Sequence, residues 1–287
     1  MASPKRRLAA NTPGDFYVDA SCIDCGTCRG VAPASFADGA SNSYVYRQPR
    51  GTAERRRAEM ALLACPTGSI GSVGKHDLGA AEASFPERID ANVYHCGYHA
   101  RASYGAASYL IVRPEGNVLT DSPRFTAPLV RQIEALGGVK WIFLTHRDDV
   151  ADHRRFHEHF GCTRILHADD ITRDTRDIEW PLSGRDPIPL TDDLLAIPVP
   201  GHTKGSVCLL DRDTYLFSGD HLAGDPERQR LTAFRDACWY DWEELRRSMA
   251  RLAAYRFEWV LPGHGRRIHF ASPVMQAKMQ ECLARLA

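Results

Sequence analysis

The chain lacks any apolar run approaching the roughly 18 residues that a bilayer-spanning helix requires, so a helical membrane protein is not expected from its 287 residues. It also lacks an excess of charge. Lys+Arg and Asp+Glu both number 36, which implies no strong field toward nucleic acid or an acidic membrane. Internal repeats and low-complexity tracts are absent as well. The opening, "MASPKRRLAANTPGD", is basic but has no apolar core, so it does not read as a secretory signal. These absences point to a cytoplasmic protein whose partners include neither nucleic acid nor membrane. Present instead are an ordinary 44% of hydrophobic residues and nine cysteines, an odd number. In a cytoplasmic chain that cysteine usage favours metal ligation over disulfides.

Two segments differ in chemistry. Residues 1–86 hold "CIDCGTC" and "ALLACPTGSI", separated by an Ala/Ser/Gly-rich loop and the charged helical run "TAERRRAEMALLAC". Residues 87–287 alternate strand-like and helix-like stretches, with a boundary expected near "EASFPERID". Short apolar runs ending at Gly, Pro or Asp predict strands in "SYLIVRPE", "NVLTDS", "WIFLTH", "TRILHA", "LLAIPVPGH", "SVCLL", "TYLFSGD" and "FEWVLPGH". Helices are expected in "APLVRQIEALGG", stopped at Gly137, and in "DWEELRRSMARLAAYRF". Trp242, Leu245, Met249 and Leu252 recur at helical spacing in the latter and read as core.

Cys22, Cys25 and Cys28 are spaced C-x₂-C-x₂-C, and Cys65 follows 37 positions later with Pro66 directly behind it. One loop thus aims three thiolates inward and a distant segment supplies the fourth, as a cuboidal iron–sulfur cluster needs. A Cys₄ zinc site is the alternative, but zinc sites usually pair two C-x₂-C units, whereas three cysteines crowd one loop here. Together with "VAPASF" and "CPTGSI", the segment resembles single-cluster bacterial-type ferredoxins. That resemblance implies a 4Fe–4S cluster on Cys22, Cys25, Cys28 and Cys65, a small α+β domain, and electron exchange with a redox partner.

Four motifs of the second segment place His or Asp where a strand gives way to a loop: "THRDDVADH", "PGHTKGS", "FSGDH" and "LPGHG". Ligands at strand ends converge on one sheet edge, which is how distant positions share a metal. In this order the motifs resemble the metallo-β-lactamase fold family. The resemblance implies an α/β, αββα sandwich and a metal ligand set of His146, His202, Asp220 and His264, joined by Asp152 and His153. Its first motif reads H-x-H-x-D-H, so Asp148 stands where a histidine is expected, and two extra residues precede the Asp152-His153 pair. Asp148 and His146 lie two apart, on one side of an extended loop. A carboxylate there adds hard oxygen character, which suits iron better than zinc, and flavodiiron proteins likewise carry an acidic residue at that place. The bland reading makes Asp149 a helix N-cap with Asp152 in the first turn.

Other residues carry weaker signals. His157 and His159 read as solvated helix positions. His221, next to Asp220, points away from it in a strand. Asp121 has a family parallel as support for the ligand loop. In "YHCGYHARASYGAASYLI", Tyr98, His99 and Ser103 are candidates for substrate contact, and Cys96 reads as a reactive thiol or, more simply, a buried one. "CWYDW" at 238–242 fits a pocket wall and core equally well.

Taken together, the chain resembles a ferredoxin-fused metallo-β-lactamase-like family, with "PGHTKGS" nearest the glyoxalase II and lactonase branch. The expected function is metal-dependent hydrolysis of a small thioester- or lactone-like substrate, using one or two divalent metals, zinc or iron. Two alternatives stay open: an iron-dependent oxidoreductase that exchanges electrons with the cluster, and a non-enzymatic electron-transfer or binding module.

Overall fold

The computed structural model describes residues 2–286 and divides into two compact units. One comprises residues 1–140 and 151–161, the other residues 141–150 and 162–287. No helix among the described residues is long and apolar enough to cross a membrane.

The first unit begins with strand Phe16–Val18, whose three residues are all buried, paired antiparallel with Ile70–Ser72. Between them run helix Thr27–Val31, the hairpin Phe36–Asp38 with Ser43–Val45, and helix Gly51–Ala64. Asn11 ties this layer together. Its Oδ1 accepts from the backbone N–H of both Val18 and Val45 at 3.0 Å, and its Nδ2 donates to Leu8 and Val18 carbonyls. Those are edge groups that a small sheet cannot satisfy from its own ladder. His76 lies between two carboxylates, 2.7 Å from Asp15 and 3.3 Å from Glu59. The unit continues with an antiparallel run, Glu87–Asp90, Val93–His95, Tyr109–Ile111 and Val118–Thr120. Helices Ala127–Ala135 and His153–Phe160 complete it.

In the second unit three parallel strands, Trp141–Phe143, Thr163–His167 and Trp180–Leu182, lie side by side. A six-stranded sheet contains Ile188–Thr191, Leu194–Pro198, Val207–Asp211, Tyr215–Gly219, Trp259–Pro262 and Ile268–His269. It is antiparallel except where Tyr215–Gly219 runs parallel to Trp259–Pro262. The strands Val207–Asp211 and Tyr215–Gly219 are buried at every position, so they read as continuous apolar runs rather than as alternation. Helices Trp242–Leu252 and Ser272–Leu286 set Leu245, Met249, Met275 and Met279 against Leu210, Leu216 and Val260. The helical spacing of Leu245, Met249 and Leu252 is therefore core, as the sequence predicts.

All eight runs read as strands from sequence contain one. The strands Glu87–Asp90, Val93–His95 and Ile188–Thr191 and the helix Ser272–Leu286 went unread. The first alternates half-buried with exposed positions, the third has no fully buried position, and the helix buries only Met275, Met279 and Cys282. Neither presents the periodic apolar stripe that sequence reading relies on.

Candidate metal centres

The four cysteines Cys22, Cys25, Cys28 and Cys65 are free thiols within the first unit. Gly26, in the left-handed region at φ +78°, turns the loop between Cys25 and helix Thr27–Val31. Burial pushes the Cys28 thiol up to about 12 and raises that of Cys25, and both feel the sulfurs of Cys22 and Cys65. Four free thiols, two buried and two half-buried, fit a cationic metal core, which takes them as thiolates. Two polar groups already meet sulfur: the Thr27 hydroxyl lies 3.2 Å from Cys25 Sγ, and the Ser69 N–H donates to Cys65 Sγ at 3.3 Å.

The loop from Tyr94 to Ser108 packs against these cysteines. The Tyr104 hydroxyl donates to the Ile23 carbonyl at 2.6 Å, and Thr27 Oγ1 lies 3.3 Å from His99 Nδ1. A Cβ on Gly105 would come within 2.7 Å of Cys25 Cβ, so only glycine allows this approach. Tyr98, His99 and Ser103, candidates for substrate contact by sequence, are all buried in this unit, and His99 sits 3.0 Å from His95 Nε2 and 2.6 Å from the Gly105 carbonyl. Cys96 is fully buried with its thiol pushed up to about 12 by burial, so it is inert packing rather than a reactive group. Asp121 is buried with a left-handed backbone, φ +56°.

The second centre is assembled in the other unit. His146 follows strand Trp141–Phe143, and His202, Asp220 and His264 follow three strands of the six-stranded sheet. His146 Nδ1 and Thr145 Oγ1 are 3.0 Å apart, which leaves Nε2 as the ring's open nitrogen. That Nε2 is buried, makes no hydrogen bond, and stands 3.7 Å from Asp220 Oδ2. His202 Nε2 is likewise buried without a hydrogen bond, 3.6 Å from both Asp148 Oδ2 and Asp220 Oδ2. The two imidazoles meet edge to face, centroids 4.7 Å apart. His264 grips Asp220 twice, through its backbone N–H to Oδ1 at 2.9 Å and its ring Nδ1 to Oδ2 at 2.9 Å.

Electrostatics follow from this geometry. Burial pushes His146 down to about 4, so its ring is neutral and able to ligate. Burial opposes ionisation of Asp220, but the rings of His264, His146 and His202 outweigh it and hold the carboxyl below the usual range. The nearby His202 ring, with Nε2 3.6 Å from Oδ2, likewise holds the Asp148 carboxyl below its ordinary value, although Asp148 is nearly half exposed. A neutral His146 ring and the His202 ring, each with an open Nε2 facing carboxylates, form a candidate donor set for a divalent metal. Among the described residues, two groups bring donor atoms close enough to share an ion: His146, Asp148 and His202, and His146, Asp149 and Asp220.

Asp149 departs from the expected helix cap. Helix His153–Phe160 has Asp152 at its N-cap, and Asp149 is instead buried 3.9 Å from His146 Nε2. Asp152 lies in the other unit, where its Oδ2 accepts from Phe125 N–H at 2.8 Å, and His153 opens the helix there, buried. His159 pairs with Glu134 at 2.8 Å on an exposed face. His221 is buried with neither ring nitrogen hydrogen-bonded, and burial pushes it down to about 3.

Asp170 is the residue that sequence reading missed. It is buried, and its carboxylate accepts from Arg147 N–H at 3.0 Å, Gly205 N–H at 2.8 Å and the Thr203 hydroxyl. One side chain thereby ties the loop of His146 and Asp148 to the loop of His202. Its only trace in the sequence is an acid just past a predicted strand, a signal shared with many surface loops. Gly201 also shapes the His202 loop. A Cβ at that position would lie 2.4 Å from Leu245 Cα, so helix Trp242–Leu252 sits directly on the loop.

Residues 18–72 match the family model of the 4Fe-4S single cluster domain of ferredoxin I. Across the rest, the chain is similar in structure to the B3 metallo-β-lactamase BLEG-1, with TM-score 0.53 and 16% identity over 68% of this chain and 99% of that one. It is similar to VMB-1 at TM-score 0.51 and 16% identity, over 68% of this chain and 95% of that one. The chain joins a single-cluster ferredoxin domain to a metallo-β-lactamase fold. No curated protein sequence matches it. At such identities the likeness establishes the fold and leaves the chemistry to the site. In the ferredoxin domain the cysteine spacing and the matched family agree on a 4Fe–4S cluster. In the metallo-β-lactamase fold the strand-end residues His146, His202 and Asp220 fall in the groups whose donor atoms could share an ion.

Proposed function

We propose that the metallo-β-lactamase fold of this chain is a metal-dependent hydrolase acting on a small thioester- or lactone-like substrate. The observation that carries the reading is the pair of buried, non-hydrogen-bonded Nε2 atoms of His146 and His202, facing the carboxylates of Asp148 and Asp220. A buried polar atom without a partner costs about 1–3 kcal/mol, so two of them, side by side, make sense as ligand atoms. His146, Asp148, His202, Asp220 and His264 would hold the ion or ions, and Asp152 and His153 remain proposed members of the set. A divalent metal bound there supplies Lewis acidity and activates water toward a carbonyl.

The chain's own residues set up the rest. His264 holds Asp220 in place through two hydrogen bonds. Thr145 orients the ring of His146, and Asp170 keeps the two ligand loops in register. Asp148, ionised and solvent-facing, is placed to accept a proton at Oδ2 when it is not ligating. The ferredoxin domain, proposed to extend to about residue 86, is expected to exchange electrons with a redox partner.

One observation favours a second reading. Asp148 contributes oxygen where imidazole is expected, and oxygen ligands suit iron. An iron centre beside an iron–sulfur domain in one chain would be an oxidoreductase. Metal analysis of anaerobically purified protein separates the two, comparing wild type with a Cys22→Ser, Cys25→Ser variant that cannot assemble the cluster. Zinc retained by the variant, with thioester or lactone hydrolysis, supports the hydrolase. Iron retained without zinc replaces it with the redox reading.

A further inference from the structure

We propose that Phe234, Trp239 and Tyr240 form the surface that receives an apolar acyl or aromatic group of the substrate. This rests on the hydrolase reading above and names the part of the substrate that is not cleaved. Among the described residues of the second unit, the exposed large hydrophobics are Phe234 at 37%, Trp239 at 62%, Tyr240 at 45% and Val274 at 46%. Single exposed apolar side chains are ordinary, but three within seven residues make a patch, and patches mark contact sites.

The patch is attached to the metal ligands on both sides. Backbone N–H groups of Trp239 and Tyr240 both donate to the His202 carbonyl, at 2.9 and 3.1 Å. Asp241 N–H and the Cys238 thiol donate to the Gly201 carbonyl, each at 3.1 Å. The Trp239 ring lies 6.2 Å from that of His202. On the far side, a Cβ on Gly265, next to His264, would meet the Phe234 ring at 3.0 Å. Cys238 and Trp242 meanwhile pack against the core. The segment is thus anchored inward by Cys238 and Trp242 and leaves Phe234, Trp239 and Tyr240 exposed.

Charge decides the class of group. Of the cations near the patch, Lys204 pairs with Asp169 at 2.8 Å and Arg185 with Glu244 at 2.7 Å, while Arg235 lies over the Trp242 ring, 5.7 Å from its centroid. An anionic substrate tail would have to break those pairs. An apolar group needs only to cover exposed rings, which removes apolar surface from water.

The test uses metal-loaded full-length protein with acetyl and octanoyl thioesters of N-acetylcysteamine, and calorimetric titration of acetate and octanoate. The expected result is an octanoyl preference in kcat/KM that falls about tenfold in Trp239→Ala and is retained in Trp239→Phe, as loss of a hydrophobic contact predicts. Octanoate is expected to bind about tenfold more tightly than acetate with a negative heat-capacity change, and Trp239→Ala to erase that margin. Hydrolysis without chain-length preference, or a preference unchanged in both Trp239→Ala and Phe234→Ala, overturns the proposal and leaves the hydrolase reading standing. An octanoate preference lost in Trp239→Ala, with no thioester or lactone cleaved, supports this surface and overturns the hydrolase reading.

Discussion

Replacing Asp220 with asparagine is expected to affect the metal-free and metal-loaded proteins differently. Asp220 accepts two hydrogen bonds from His264 and lies 3.6–3.7 Å from the open nitrogens of His202 and His146. Hydrogen bonds to a charged group contribute about 1.5–3 kcal/mol each, and asparagine keeps one acceptor, so roughly one such bond is lost. Against this, a buried carboxylate carries a desolvation cost of several kcal/mol that the amide escapes. At pH 8 burial keeps His146 neutral, so that ring brings no positive charge to offset the cost. The two effects nearly cancel in metal-free protein, leaving a net change within about 2 kcal/mol of either sign. With metal bound the balance changes. An amide ligand that weakens affinity about 100-fold forfeits about 2.7 kcal/mol at saturating metal. For a domain of this size, 1 kcal/mol moves Tm by about 2–4 °C, so the metal-dependent rise in Tm should shrink by roughly 5–11 °C. Differential scanning calorimetry at fixed free zinc, with and without chelator, reads both numbers. Equal Tm losses with and without metal would refute the reasoning and make Asp220 a structural acceptor only.

Further outcomes are expected. Asp170→Ala, which unties the His146 and His202 loops, should weaken metal binding about 10–100-fold, measured by competition with a chromophoric chelator, with a smaller effect from Asp170→Asn. Cys65→Ser should abolish the visible absorbance of the reconstituted cluster while leaving metal content in the second unit unchanged, by anaerobic spectroscopy and elemental analysis. Gly201→Ala, whose Cβ would meet Leu245 backbone at 2.4 Å, should cost about 1–3 kcal/mol in chemical denaturation. Burial opposes ionisation of Asp225, but Arg228 and Arg230 outweigh it and hold its carboxyl below 3.8. The stability it contributes is therefore full above 3.8 and lost as pH falls through its lower folded value. Asp225→Asn should lower stability by about 1 kcal/mol at pH 7, and the gap to wild type should close as the pH drops below that point.

The parts of the site legible in the sequence share one property: local spacing decides them. Three cysteines share one loop because only two residues separate each from the next. His146, His202, Asp220 and His264 stood out because each ends a short apolar run at a turn. The neighbours of those residues were not legible in the same way. Asp148 and Asp149 are adjacent in sequence, yet one is nearly half exposed near His202 and the other is buried near His146. Which of two consecutive acids faces inward depends on the path of the loop, and that path is set by contacts such as Arg147 with Asp170.

The stretch 94–111 makes the same point from the other direction. Tyr98, His99 and Ser103 look like substrate contacts in sequence, yet all three are buried in the unit that holds the cysteine loop, where Gly105 permits close approach to Cys25 and Tyr104 bonds to Ile23. The aromatic run at 238–242 was undecided between pocket and core, and the structure divides it between the two by residue.

The sequence by itself determined the cysteine spacing, the strand ends that carry the candidate ligands and the joining of a cluster domain to a strand-rich one, since those follow from residue type and short-range periodicity. Only the tertiary structure decided which imidazole nitrogens stay open, which carboxylates face them and that Asp170 locks the two loops together. Those depend on residues tens of positions apart being brought within hydrogen-bonding reach, and no local pattern encodes that meeting.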